Sequence, residues 1–123
     1  MAGIYIHIPF CKQACHYCNF HFSTSFDKYR TEMINAICNE ILLQANFFED
    51  RKTSIQTVYF GGGTPSILTQ NEFIKIWDSL ENTFNLTEVQ EVTLEANPDD
   101  MGDYFFELIS SSKINRLSIG VQS

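Results

Sequence analysis

The alternation of two hydrophobic patterns along the chain constrains its fold more than any other feature. Four short runs rich in β-branched and aromatic residues alternate with segments whose apolar residues recur every three or four positions. The runs predict strands at 4–8, 55–60, 91–95 and 117–121. The recurring segments predict helices from 27 to about 48, from 69 to 84, and over 100–110.

Strands that are separated by helices run parallel, because the long connection returns the chain to the same end of the sheet. The sequence therefore predicts an α/β fold, a partial parallel (β/α) barrel with about four β/α units. The fourth strand is predicted at the end of the sequence, with no covering helix after it. We interpret residues 1–123 as the N-terminal part of one larger domain, whose remaining strands and C-terminal domain are absent.

Charge and hydropathy exclude some classes of partner. The formal net charge is −7, and the eight Lys and Arg residues are scattered along the chain rather than clustered. Nucleic acid is therefore disfavoured as a partner, because phosphate binding relies on clustered cations. The sequence has neither a signal-peptide pattern nor an apolar run of membrane-spanning length, which predicts a cytoplasmic protein without a transmembrane segment.

Three of the four cysteines lie close together, after the first predicted strand. Disulfides are rare in the reducing cytoplasm. The spacing of Cys11, Cys15 and Cys18 therefore indicates metal chemistry, on a predicted loop over 9–25. Three thiolates satisfy three irons of a cubane cluster and leave the fourth iron open to a ligand. Cys38 lies on the apolar stripe of the following helix, where we interpret it as a packing residue.

Zinc is the alternative metal for this cysteine group. A structural zinc ion takes a fourth protein ligand, which His7, His16 or His21 would have to provide. The chain would then be a non-catalytic zinc- or metal-binding module. For His7, packing or a hydrogen bond to a neighbouring group is the favoured interpretation over ligation.

The cysteine spacing, with the aromatic Tyr17 just before the last cysteine, resembles the signature of the radical S-adenosylmethionine (SAM) superfamily. The resemblance implies that Cys11, Cys15 and Cys18 hold a [4Fe–4S] cluster, that SAM binds its open iron, and that Tyr17 lies in the cofactor site. It also implies that the barrel is of the radical SAM type. Such a cofactor carries the chemistry, and the protein positions it.

A run of glycines follows the second predicted strand. Gly61, Gly62 and Gly63 precede Thr64-Pro65-Ser66, and the missing Cβ atoms let a backbone approach a ligand closely. A flexible turn would also use three glycines. The full motif resembles the glycine motif of the coproporphyrinogen-oxidase-like branch of the superfamily, which implies that Gly62, Gly63 and Thr64 contact the aminoacyl end of SAM.

Two polar residues end the later predicted strands, Glu95 in the third and Gln122 in the fourth. Each could be an ordinary solvated strand end. In a parallel β/α barrel, however, ligands bind at the C-terminal face of the strands, so both should lie near the cysteines and the glycines. Resemblance to the same branch implies that Glu95, Gln122 and Tyr5 contact SAM.

Within this branch the sequence resembles two groups. Oxygen-independent coproporphyrinogen III oxidases carry a further cysteine two residues after the third cluster ligand, where this sequence has Phe20. The difference favours the haem chaperones of the HemW type, which implies binding of haem and delivery to a client haem enzyme. The oxidase, which decarboxylates two propionates of a porphyrinogen, is the alternative, as is a SAM binder that does not cleave its ligand. Because a fold does not fix a function, whether the protein is an enzyme stays open.

Overall fold

The computed structural model describes residues 2–9, 12–48, 53–63, 65–97 and 103–119. For residues 12–27, 103, 104 and 111 it describes the backbone and not the side chains. Outside the described residues lie the predicted cluster ligand Cys11, the predicted SAM contacts Thr64 and Gln122, and the end of the fourth predicted strand at Val121.

In the described part of the chain, four parallel strands form one sheet, as predicted. They are β1 (Ala2–Ile8), β2 (Ile55–Gly62), β3 (Glu91–Ala96) and β4 (Arg116–Ile119), in the spatial order β1-β2-β3-β4. Each strand therefore pairs with its predecessor in the chain, and over the described residues the sheet is open rather than closed into a barrel. The register places Tyr5 beside Tyr59 and Glu95 beside Ser118.

Among the described residues, three α-helices connect the strands: α1 (Lys12–Leu43), α2 (Gln70–Thr83) and α3 (Asp103–Ser111). The loop predicted over 9–25 is wrong from Lys12 onward, because α1 already begins there. The prediction relied on an apolar stripe that starts only near residue 27. The segment Lys12–Leu43 contains neither proline nor glycine, so no residue in it interrupts helical hydrogen bonding.

The helix predicted over 69–84 is confirmed, and a capping box fixes its start. The side chain of Thr69 accepts a hydrogen bond from the backbone N–H of Glu72, while the Glu72 carboxylate accepts one from the N–H of Thr69. These two bonds satisfy donors that the first turn of a helix leaves unpaired. The capping box also fixes where the chain passes from the glycine segment into α2.

The core lies between one face of the sheet and the helices. Alternate residues of a strand point to opposite faces, and in β1 Ile6 and Ile8 are 6% and 0% exposed whereas Tyr5 is 57% exposed. The helices contribute Ile34, Phe73 and Leu108 to the same cluster. Cys38 is 9% exposed in this cluster, which confirms that it is a packing residue.

The opposite face of the sheet is more polar and carries Tyr5, His7 and Glu95. None of the helices in the described ranges of the chain is both long and apolar enough to cross a bilayer.

Candidate cofactor site

β2 ends at Gly62 and the chain bends at Gly63; we call Gly61–Gly63 the glycine turn. Gly62 has a φ of +110°, a backbone conformation that a residue with a Cβ rarely adopts. The N–H of Gly63 donates to the carbonyl of Ile8 at 2.8 Å. Since Ile8 ends β1 three residues before Cys11, this bond joins the turn to the strand that leads into the cysteine segment.

Glu95 holds the same turn from the other side. Its Oε1 accepts the backbone N–H of Gly62 at 2.9 Å. A Cβ added to Gly61 would lie 2.5 Å from this Oε1 and 2.8 Å from the Tyr5 hydroxyl. The absence of a side chain at Gly61 therefore leaves room for a carboxylate and a phenol that both approach the backbone at this edge of the sheet.

Aromatic rings line the sheet beside the turn. The rings of Tyr5 and Tyr59 stack with centroids 5.7 Å apart and an interplanar angle of 16°. His7 is exposed, and its ring lies directly against Gly62, where an added Cβ would come within 2.8 Å of Nδ1. His7 therefore packs against a neighbouring group, as the sequence predicted. That group is the glycine turn, on the exposed face of the sheet and not in the core.

Of the residues predicted to bind SAM, the structure brings together Tyr5, Gly62, Gly63 and Glu95. Cys15, Tyr17 and Cys18 lie within α1, where their side chains are not described. Among the side chains that are described, no three His, Cys, Asp or Glu residues come close enough to hold a metal ion.

One residue near the turn was not found from the sequence. Arg30 of α1 reaches the segment that follows the glycines, where its guanidinium pairs with Glu72 and donates to the carbonyl of Ile67. Arg30 and Glu72 are 42 residues apart in sequence. Only the packing of α1 against α2 could identify this pair, because no local pattern links positions so distant.

Comparison with known proteins gives one consistent family. The sequence profile of the radical SAM superfamily matches residues 5–123. The chain is 34% identical over 119 residues to the haem chaperone HemW of Lactococcus lactis, covering 97% of this chain and 30% of that protein. It is 32% identical over 126 residues to an oxygen-independent coproporphyrinogen III oxidase of Bradyrhizobium diazoefficiens, covering 99% of this chain and 27% of the oxidase.

A solved structure agrees with the sequence comparison. Coproporphyrinogen III oxidase (HemN) from Escherichia coli, described as a radical SAM enzyme, superposes with a TM-score of 0.74 at 26% identity. The superposition covers 98% of this chain and 28% of that one. The chain thus spans about a third or less of the relatives that it matches. With the profile match across residues 5–123, these similarities establish that the chain belongs to the radical SAM superfamily, which implies a [4Fe–4S] cluster and bound SAM.

Proposed function

We propose that the chain binds SAM at the C-terminal edge of its sheet, as part of a haem chaperone. The observation that carries the SAM site is that the Glu95 carboxylate and the Tyr5 hydroxyl both approach Gly61, beside Gly62 with its positive φ. Ligands of parallel α/β sheets bind outside the carboxyl ends of the strands, and these residues lie at that edge.

The chemistry of these residues fits SAM. The ligand carries an ammonium group and ribose hydroxyls, which need acceptors, and a carboxylate, which needs donors. Glu95 is only partly buried, and a carboxylate has further acceptor positions after one backbone N–H is bound. The phenol of Tyr5 both donates and accepts. We assign Tyr5, Tyr17, Gly62, Gly63, Thr64, Glu95 and Gln122 to SAM binding.

The cluster ligands in this proposal are Cys11, Cys15 and Cys18. Soft thiolates are the ligands that iron–sulfur clusters take, and three of them leave one iron for SAM. When bound, the reduced cluster supplies one electron for cleavage of a carbon–sulfur bond of SAM. The residues of this chain orient the ligand. Glu95 and Ile8 fix the glycine turn through hydrogen bonds, and the stacked rings of Tyr5 and Tyr59 lie beside that turn.

Haem delivery to a client enzyme is the activity that we propose for the whole protein. Two features support haem chaperone over oxidase: the similarity to a HemW haem chaperone, and Phe20 at the position where oxidases have a further cysteine. The thiolates of the cluster need a reducing compartment, which supports the cytoplasm as the location. The oxidase is the second candidate, supported by the similarity to HemN and to the Bradyrhizobium oxidase.

The SAM site is tested on the intact protein, reconstituted anaerobically with iron and sulfide and then reduced. We expect a [4Fe–4S]⁺ EPR signal that changes when SAM is added and that disappears in Cys15→Ala. Zinc in the purified protein without labile sulfide, or a cluster signal indifferent to SAM, would contradict the proposal and favour the metal-binding module.

Assays of haem binding and of porphyrinogen turnover then distinguish the two candidate activities. A chaperone binds haem stoichiometrically, seen as a shifted Soret band, and passes it to an apo-enzyme. An oxidase instead converts coproporphyrinogen III with release of two molecules of carbon dioxide per porphyrinogen. Turnover of the porphyrinogen without haem binding would replace the chaperone proposal with the oxidase.

A further inference from the structure

The exit of the glycine turn is held by one arginine from another helix. After Gly63 and Thr64 the chain forms a short 3₁₀ turn at Pro65–Ile67, and Arg30 Nη2 donates to the carbonyl of Ile67, its last residue. Pro65 and Ser66 of this turn are buried, and the turn packs against β3. The polypeptide therefore has a fixed position within a few residues of Gly63.

The same guanidinium also fixes the start of α2. Arg30 Nε and Nη2 lie 2.6 Å and 2.7 Å from the two carboxylate oxygens of Glu72, a bidentate pair. Glu72 Oε1 additionally accepts the N–H of Thr69 at 2.8 Å, as part of the capping box. Arg30 thus connects α1, the 3₁₀ turn and the first turn of α2 at a single point.

The environment of this pair makes it stronger than an ordinary surface ion pair. The side chains of Arg30 and Glu72 are each 17% exposed, whereas those of the Arg116–Glu91 pair are 61% and 38% exposed. Exposed pairs are screened by water and contribute little, while a bidentate, partly buried pair is screened less and fixes geometry. Lysine does not reproduce this arrangement, because its ammonium lacks the planar fork that matches both oxygens of a carboxylate.

We propose that Arg30 is a positioning residue for SAM binding: it does not touch the ligand, but holds the exit of the glycine turn in the conformation that binds it. The inference rests on the SAM site proposed above. The turn is fixed to β1 through Ile8 and to β3 through Glu95, and Arg30 supplies a third attachment, at its C-terminal side. Without it, the C-terminal side of the turn loses this attachment and SAM must order that side as it binds, which lowers the affinity.

The test uses the intact protein with its cluster reconstituted, and the variant Arg30→Lys. We expect the dissociation constant for SAM in equilibrium dialysis to rise roughly tenfold, equivalent to about 1.4 kcal/mol. Iron and sulfide content and the EPR spectrum without SAM should be unchanged. Hydrogen exchange of the SAM-free protein should become faster over residues 65–72. Arg116→Lys is the matched control, and it should leave the SAM affinity and that exchange unaltered.

A second variant serves if Arg30→Lys does not fold. Glu72→Gln keeps an acceptor for Thr69 and removes the charge that binds Arg30, and it should weaken SAM binding by roughly threefold. If wild type binds SAM and the variants bind it equally well, the positioning role is wrong. Faster exchange without loss of affinity would also overturn it, since Arg30 would then only stabilise the fold. If wild type itself fails to bind SAM, the proposed function fails, and the inference fails with it.

Discussion

Glu95 of β3 accepts the backbone N–H of Gly62 at the end of β2 with a distance of 2.9 Å. We assign both the Glu95 carboxylate and the glycine turn to SAM binding, and this bond connects the two. The two residues are 33 positions apart in sequence, and the parallel pairing of β2 and β3 brings them together.

Gly61→Ala should abolish or strongly weaken SAM binding. The new Cβ would lie 2.5 Å from Glu95 Oε1 and 2.8 Å from the Tyr5 hydroxyl, so both groups must move. We expect a loss of affinity of at least about tenfold, measured by equilibrium dialysis, because both displaced groups belong to the proposed site. Gly3→Ala is the control: its Cβ would meet the side-chain oxygen of Thr57, near the other end of the sheet. Equal affinity in wild type and Gly61→Ala would contradict the assignment of this edge.

Glu95→Gln should weaken SAM binding while leaving the fold intact. The amide oxygen can still accept the N–H of Gly62, but the negative charge that attracts an ammonium group is lost. We expect affinity to fall by about tenfold, with an unchanged thermal midpoint and unchanged iron content. Glu91→Gln, on the same strand in the exposed pair with Arg116, should change stability by less than about 0.5 kcal/mol and SAM affinity not at all. A loss of the same size in both variants would argue against a specific role for Glu95.

Two cysteine variants, Cys15→Ala and Cys38→Ala, should distinguish a cluster ligand from a packing residue. Cys15→Ala should remove most of the iron and labile sulfide, because a thiolate ligand is lost. Cys38 is buried, and its Sγ lies 3.7 Å from the carbonyl of Lys75. Cys38→Ala should cost about 1 kcal/mol in the free energy of unfolding and leave metal content unchanged. Loss of the cluster in Cys38→Ala would show that our packing interpretation is incomplete.

Thr69→Ala should destabilise the protein through the start of α2. The variant loses the side-chain acceptor for the N–H of Glu72, which lies 3.1 Å away. Loss of such an N-cap costs about 1 kcal/mol, to be measured by denaturant titration of the intact protein. Thr69→Ser keeps the hydroxyl and should be close to wild type. If the serine variant were as unstable as the alanine variant, the methyl group rather than the hydrogen bond would be responsible.

The sequence by itself determined the order and type of the elements. The strands, α2 and the parallel α/β class follow from hydrophobic periodicity, which is a local property of the chain. It also marked Gly61 to Gly63 and Glu95 as strand-terminal positions, and parallel topology alone predicts that such positions share one edge.

Tertiary structure decided which of these residues meet and how. The sequence analysis did not predict that α1 starts at Lys12, because the first turns of this helix carry no apolar stripe. The contact of His7 with Gly62 depends on the register between β1 and β2, and the pairing of Arg30 with Glu72 depends on how α1 packs against α2. Local periodicity fixes which face of an element is buried, but contacts between distant residues are fixed only when those faces pack together.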